Sequence, residues 1–149
     1  MQWPEDWRET NIAAKELVPV VIAAAVWGAL WRGQHIRFHS DNMAVVAIMS
    51  SGTAGTPLLM HLLRCFSFYS AYYGFHHSCV HIPGVLNVAA DALSRNNLSL
   101  FLSLAPQVPQ STIPSSLIEL LITVRPDWGS PDWTQLFTIS LGEESRIPH

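Results

Sequence analysis

Charge is scarce in this sequence: 13% of its 149 residues are charged, and the cations are one lysine and seven scattered arginines. Binding to a phosphate backbone ordinarily draws on clustered Lys and Arg. A self-sufficient basic surface for nucleic acid is therefore excluded, and any grip on such a ligand must be weak or shared. The formal charge of −3 is also uneven. Residues 1–96 hold six acidic and six basic groups, whereas 97–149 hold five acidic and two basic, so the whole deficit falls in the second segment. Cysteine is nearly absent too. Cys65 and Cys79 make no metal-type pair, and without a signal peptide they read as reduced, buried thiols of an intracellular protein of the cytoplasm or nucleus. The most apolar run, Leu17 to Trp31, spans 15 residues between Glu16 and Arg32 and contains Pro19. A bilayer core needs roughly 20, so the run reads as a buried core helix and no membrane partner is expected.

Apolar residues, at 49%, are ample for one core. From Thr10 to Trp31 they recur at three- and four-residue spacing through Leu17, Val20, Val21, Ala24, Trp27 and Trp31, which predicts a long helix capped by Asn11 and kinked at Pro19. His35 to His39 alternates with period two and places Ile36 and Phe38 on one face of a strand. Asn42 to Ser50 returns to helical spacing, and Ser51 to Gly55 breaks it. Thr56 and Pro57 open a further helix that Gly74 stops. Phe75 to Ile82 is a second strand ended by Pro83-Gly84, and Asn87 caps a helix reaching about Arg95.

The resulting order, helix-strand-helix-helix-strand-helix, implies a parallel strand pair in an α/β unit, because each return to the sheet passes through a helical crossover. In open α/β sheets functional groups collect at the carboxyl ends of the strands, and Asp41 falls there. Glu16 lies on an otherwise apolar helix, and Asp91 on a short helix just beyond the second strand; each can approach the same strand end. Carboxylates about 4 Å apart repel by roughly 4 kcal/mol per pair at an effective dielectric near 20. A divalent cation makes such crowding sensible, and hard oxygen donors suit magnesium. Two such ions, roughly 3.5–4 Å apart, hydrolyse phosphodiesters by activating water and stabilising the leaving oxygen. Simpler roles stay open for each residue: Asp41 as the N-cap of the following helix, Glu16 as a solvated helix edge beside Lys15, Asp91 as a surface acid. His77, Cys79 and His81 alternate along one strand about 6.6–6.8 Å apart, too far for zinc. Tyr69, Tyr72 and Tyr73, at helical spacing, read as core and not as a base-stacking platform.

Three blocks carry a family resemblance: Asn11-Ile12-Ala13-Ala14-Lys15-Glu16-Leu17, Ser40-Asp41-Asn42, and the run from His81-Ile82-Pro83-Gly84 through Asn87-Val88-Ala89-Ala90-Asp91-Ala92-Leu93-Ser94-Arg95. The last block resembles the closing motif of ribonuclease H domains in gypsy-like and DIRS-type retrotransposon reverse transcriptase polyproteins, and the three occur in that family's order. The resemblance covers about residues 1–96. It implies the C-terminal part of a ribonuclease H-like fold, two-ion Mg2+ (or Mn2+) hydrolysis of RNA in RNA/DNA hybrids, and catalytic, metal-binding acids at Glu16, Asp41 and Asp91. His81 is similar to the family's mobile histidine, although a plain strand-end role suits it equally.

One departure shapes the expectation. The family opens with a three-stranded meander whose first strand carries the first catalytic aspartate, three strands with turns need roughly 25–30 residues, and Met1 to Glu9 offers nine. The first three strands are thus expected to be missing, the site incomplete and the isolated chain inactive. An upstream polymerase region, or a protein partner covering the exposed sheet edge, would complete it. From residue 97 the texture turns Pro-rich, with six of ten prolines, and 97–149 reads as a linker or tail with short helices, one of them carrying Leu117, Leu120, Leu121 and Val124. Pro126-Asp127-Trp128 and Pro131-Asp132-Trp133 resemble the linker that precedes the recombinase in DIRS-type polyproteins. The alternative to a nuclease fragment is a non-catalytic interaction module, a degenerate or domesticated remnant.

Overall fold

The computed structural model describes residues 12–95, 97–104, and 115, 117 and 119. The expected cap Asn11, the expected helical residues Leu120, Leu121 and Val124, and both Pro-Asp-Trp elements lie outside the described residues. Helix α1 spans Ile12–Trp27 and runs on into a 3-10 turn, Gly28–Trp31; β1 is His35–Ser40, α2 Met43–Ser51, α3 Pro57–Tyr73, β2 His76–His81, α4 Val88–Ser94 and α5 Leu98–Leu104. The two strands pair in parallel, from His35 opposite His76 to Ser40 opposite His81. An α/β unit with a parallel pair, expected from the crossover logic, is therefore present.

Local chemistry sets the borders. Thr56 Oγ1 accepts from the Leu59 amide at 3.3 Å, and Pro57 occupies the first turn, where its missing N–H costs nothing. Gly74, at φ 70°, ends α3 in the left-handed conformation that favours glycine. α1 continues through Pro19 as one α-helix, as the long helix face requires. An interior proline costs about 3 kcal/mol. Leu17, Val18, Val21 and Ile22, all buried, return roughly 1.5–3 kcal/mol each, so packing against α3 outweighs the lost backbone bond.

α1 and α3 pack together as the body of the core, and Gly28 lets the Tyr73 ring lie directly against the backbone, with Tyr73 Oη donating to the Ala25 carbonyl at 3.4 Å. Beneath the strands, Phe66 meets Phe38, Phe75 and His77 edge-on, with centroids 5.7, 6.1 and 4.7 Å apart. Such contacts add about 0.5–1.5 kcal/mol each beyond burial and fix the sheet's inner face on α3. Both cysteines are buried and unbridged, and burial pushes the Cys79 thiol pKa up. Leu117, from the segment read as tail, is fully buried in this same core. By length and composition the helix Ile12–Trp31 could also cross a bilayer, with half of its apolar window buried inside the fold.

Candidate active site at the carboxyl end of the sheet

β1 ends at Ser40, and the chain must turn at once to start α2. Asn42 takes the cap: its Oδ1 accepts from the Ala44 amide at 2.9 Å, while its own amide donates to Ser40 Oγ at 3.1 Å. The capping role open to Asp41 is thus filled by its neighbour. Asp41 is left exposed at the strand end, and among the described residues no hydrogen bond engages its carboxylate. Gly84, in the turn after β2, sits close enough that a methyl group there would come within 3.5 Å of Asp41 Oδ2.

Glu16 approaches from α1. Burial raises its carboxyl pKa above the ordinary value, the Asp41 carboxylate raises it further, and a side-chain hydrogen bond from Asn42 opposes both. Its Oε2 is buried without a hydrogen-bond partner. Stranding a buried carboxylate oxygen beside a second carboxylate is unfavourable on both counts. Asp91 stands on α4, where its Oδ1 accepts from Arg95 Nε at 3.0 Å across one helical turn, both side chains being well exposed.

Glu16, Asp41 and Asp91 line one cavity of about 660 Å³, together with Lys15, His39, Ser40 and Asn87. They share this space without closing on a single point: among the described residues no three His, Cys, Asp or Glu side chains are grouped tightly enough to hold a metal ion. Glu16 and Asp41 form the close pair, and Asp91, engaged by Arg95, lines the same hollow. Both groups offer the hard oxygen donors that a divalent cation takes.

His81 closes β2 opposite Ser40, is exposed, and is not among the cavity's lining residues. His77 is half-buried against Phe66, and burial lowers its pKa. Tyr69 and Tyr73 are core residues. Asn42, His39, Ser40 and Asn87 are the site residues that the sequence reading passed over. Asn42 carried a signal, since Asp and Asn compete equally for a cap between a strand and a helix; Ser40 and Asn87 stood inside the motif blocks with no site role given to them, and His39 carried no signal. Comparison of the chain with protein-family models, with curated proteins and with solved structures finds no match in any of the three.

Proposed function

We propose that this α/β unit is a ribonuclease H-like fragment of retrotransposon origin, with Glu16, Asp41 and Asp91 as three of the acids of a two-ion phosphodiesterase acting on RNA in RNA/DNA hybrids. The observation that carries the reading is the buried, unpartnered Oε2 of Glu16 beside Asp41 at the carboxyl edge of a parallel strand pair. Supporting it, the acids supplied by α1, by the end of β1 and by α4 border one cavity. When bound, Mg2+ would supply Lewis-acid activation of water and of the scissile phosphate. The chain's own part is to present Glu16 and Asp41 as hard donors, with Asp91 across the hollow. His81, at the sheet edge, would assist product release.

On this reading the fourth acid comes from a segment upstream in a polyprotein, next to the polymerase region, or from a companion chain inside the cell that covers the open edge of β1. With so few cations on the chain, that neighbour would also supply most of the grip on the hybrid. The test is a labelled RNA/DNA hybrid incubated with Mg2+ and three samples: the chain alone, the chain joined to its upstream coding segment, and the joined form carrying Asp41→Asn. Cleavage by the joined form alone, lost in the variant, is the expected result. Absence of cleavage in every sample, with the joined form folded, would sink the nuclease reading.

A second reading, a non-catalytic interaction module, is favoured by the turn after β2, where Val85 is 83% and Leu86 66% exposed. Large exposed apolar groups of this kind mark contact surfaces when they are contiguous. It gains ground if the joined form stays inactive and Val85→Ser with Leu86→Ser abolishes a stable complex with a companion chain.

A further inference from the structure

The two faces of the strand pair differ in chemistry. Ile36 and Phe38 of β1, with His77 and Cys79 of β2, alternate onto the face that α3 covers, where Phe66 meets Phe38 and His77 edge-on. The residues between them turn the other way. From β1 these are His35, Arg37 and His39, all exposed, and from β2 they are His76, Ser78 and Val80. Neither strand contains an acidic residue. His39 borders the cavity lined by Glu16, Asp41 and Asp91, whereas His35, Arg37, His76 and Ser78 are not among its lining residues.

Register brings those four together. Arg37 is the parallel partner of Ser78, and His35 that of His76. Neighbours across such a ladder stand about 4.7–4.9 Å apart, and same-face neighbours along a strand about 6.6–6.8 Å. The His35 ring spans the diagonal, with its Nε2 2.9 Å from Ser78 Oγ. Arg37, beside that contact, forms no hydrogen bond or ion pair among the described residues. A guanidinium fork, a hydroxyl and two imidazoles, with no carboxylate between them, are the donors that a phosphate group accepts from.

We propose that His35, Arg37, His76 and Ser78 form a site for a single phosphate monoester on this face of the sheet. The donor count selects the monoester. The Arg37 fork offers two N–H groups in one plane, and the Ser78 hydroxyl and each ring add one more. That set matches the three terminal oxygens and near double charge of a monoester better than the two free oxygens and single charge of a diester. With one permanent cation, the patch holds one such group and not a run of backbone phosphates. The site lies apart from the acid-lined cavity and stands independently of the nuclease reading.

The test follows the NMR resonances of the isotope-labelled chain as methyl phosphate is added at constant ionic strength, with dimethyl phosphate and chloride as parallel arms. Saturable shifts at His35, Arg37, His76 and Ser78 are expected with methyl phosphate, no saturation with chloride, and binding of dimethyl phosphate weaker by about fivefold or more. Arg37→Gln should weaken methyl phosphate binding about tenfold and Ser78→Ala about threefold. Arg37→Lys, which keeps the charge and loses the fork, should fall between wild type and Arg37→Gln. Shifts that fail to saturate, that chloride reproduces, or that persist at wild-type affinity in both Arg37 variants overturn the proposal. Dimethyl phosphate binding as tightly as methyl phosphate overturns the monoester assignment on which it rests.

Discussion

Glu16 is expected to weaken the fold that contains it. Its Oε2 is buried without a partner, and Asp41 adds a like charge. An unsatisfied buried polar group costs about 1–3 kcal/mol, and because solvent still reaches much of this side chain the lower end applies, about 1 kcal/mol. Glu16→Gln removes the charge and offers Asp41 a donor. At pH 7 in EDTA its melting temperature should therefore exceed that of the wild type by about 4 °C for a chain of this size. The pH dependence has a definite sign. A carboxyl whose pKa is raised by folding favours its neutral form there, so its contribution is most favourable below the unfolded pKa and is lost as pH rises through the folded one. The advantage of Glu16→Gln should accordingly shrink as the pH is lowered from 7 towards 4, where wild-type Glu16 becomes protonated. Added Mn2+ should reverse the ranking, since an ion at 100 times its Kd stabilises the wild type by about 2.7 kcal/mol and the variant much less. Thermal denaturation by circular dichroism, at three pH values with and without Mn2+, measures all of this. A variant that melts at or below the wild type at pH 7 in EDTA would refute the reasoning.

Two other substitutions probe the frame of the site. Gly28→Ala would drive a methyl group into the Tyr73 ring where α1 meets α3; overpacking of this kind costs about 1–3 kcal/mol, seen as a drop in melting temperature with the helical spectrum retained. Arg95→Gln breaks the exposed pair with Asp91 and should change stability by no more than about 0.5 kcal/mol, measured by urea denaturation. The same substitution removes a cation that competes for Asp91, so Mn2+ should bind no more weakly than to the wild type.

Where the sequence was legible, a boundary and a period pointed the same way. α3 is the clearest case: Thr56, Pro57 and Gly74 mark its ends by three independent chemistries, and Leu59, Leu62 and Phe66 fill its buried face. β1 could be read from period-two alternation, β2 from its stop at Pro83-Gly84, and their parallel pairing from the helices that separate them. At Pro19 the sequence showed a local cost, and the packing of α1 that outweighs it is visible only in the fold. α5 was missed for a different reason. Leu98-Ser99-Leu100-Phe101-Leu102-Ser103-Leu104 alternates almost as a strand does, and what makes it a helix is the start signal at Asn97, whose Oδ1 accepts from the Leu100 amide at 3.2 Å. Leu117 shows the same gap at longer range, since nothing local reveals that a residue beyond a Pro-rich stretch belongs to the core.

The site was legible only as far as residue type and element order can carry it. Asp41 at the end of β1 follows from topology, whereas Glu16 and Asp91 were singled out by their context and by the family resemblance. What topology cannot assign is which member of an Asp-Asn pair caps the next helix, since both residues do so equally well. The structure resolves that choice one residue beyond Asp41: with Asn42 holding the α2 cap, Asp41 is left to line the cavity beside Glu16. Had Asp41 been the cap, its carboxylate would have been turned to the α2 amides and the pair with Glu16 would not exist. A single-residue offset, invisible to periodicity, thus separates a helix start from a candidate cation site.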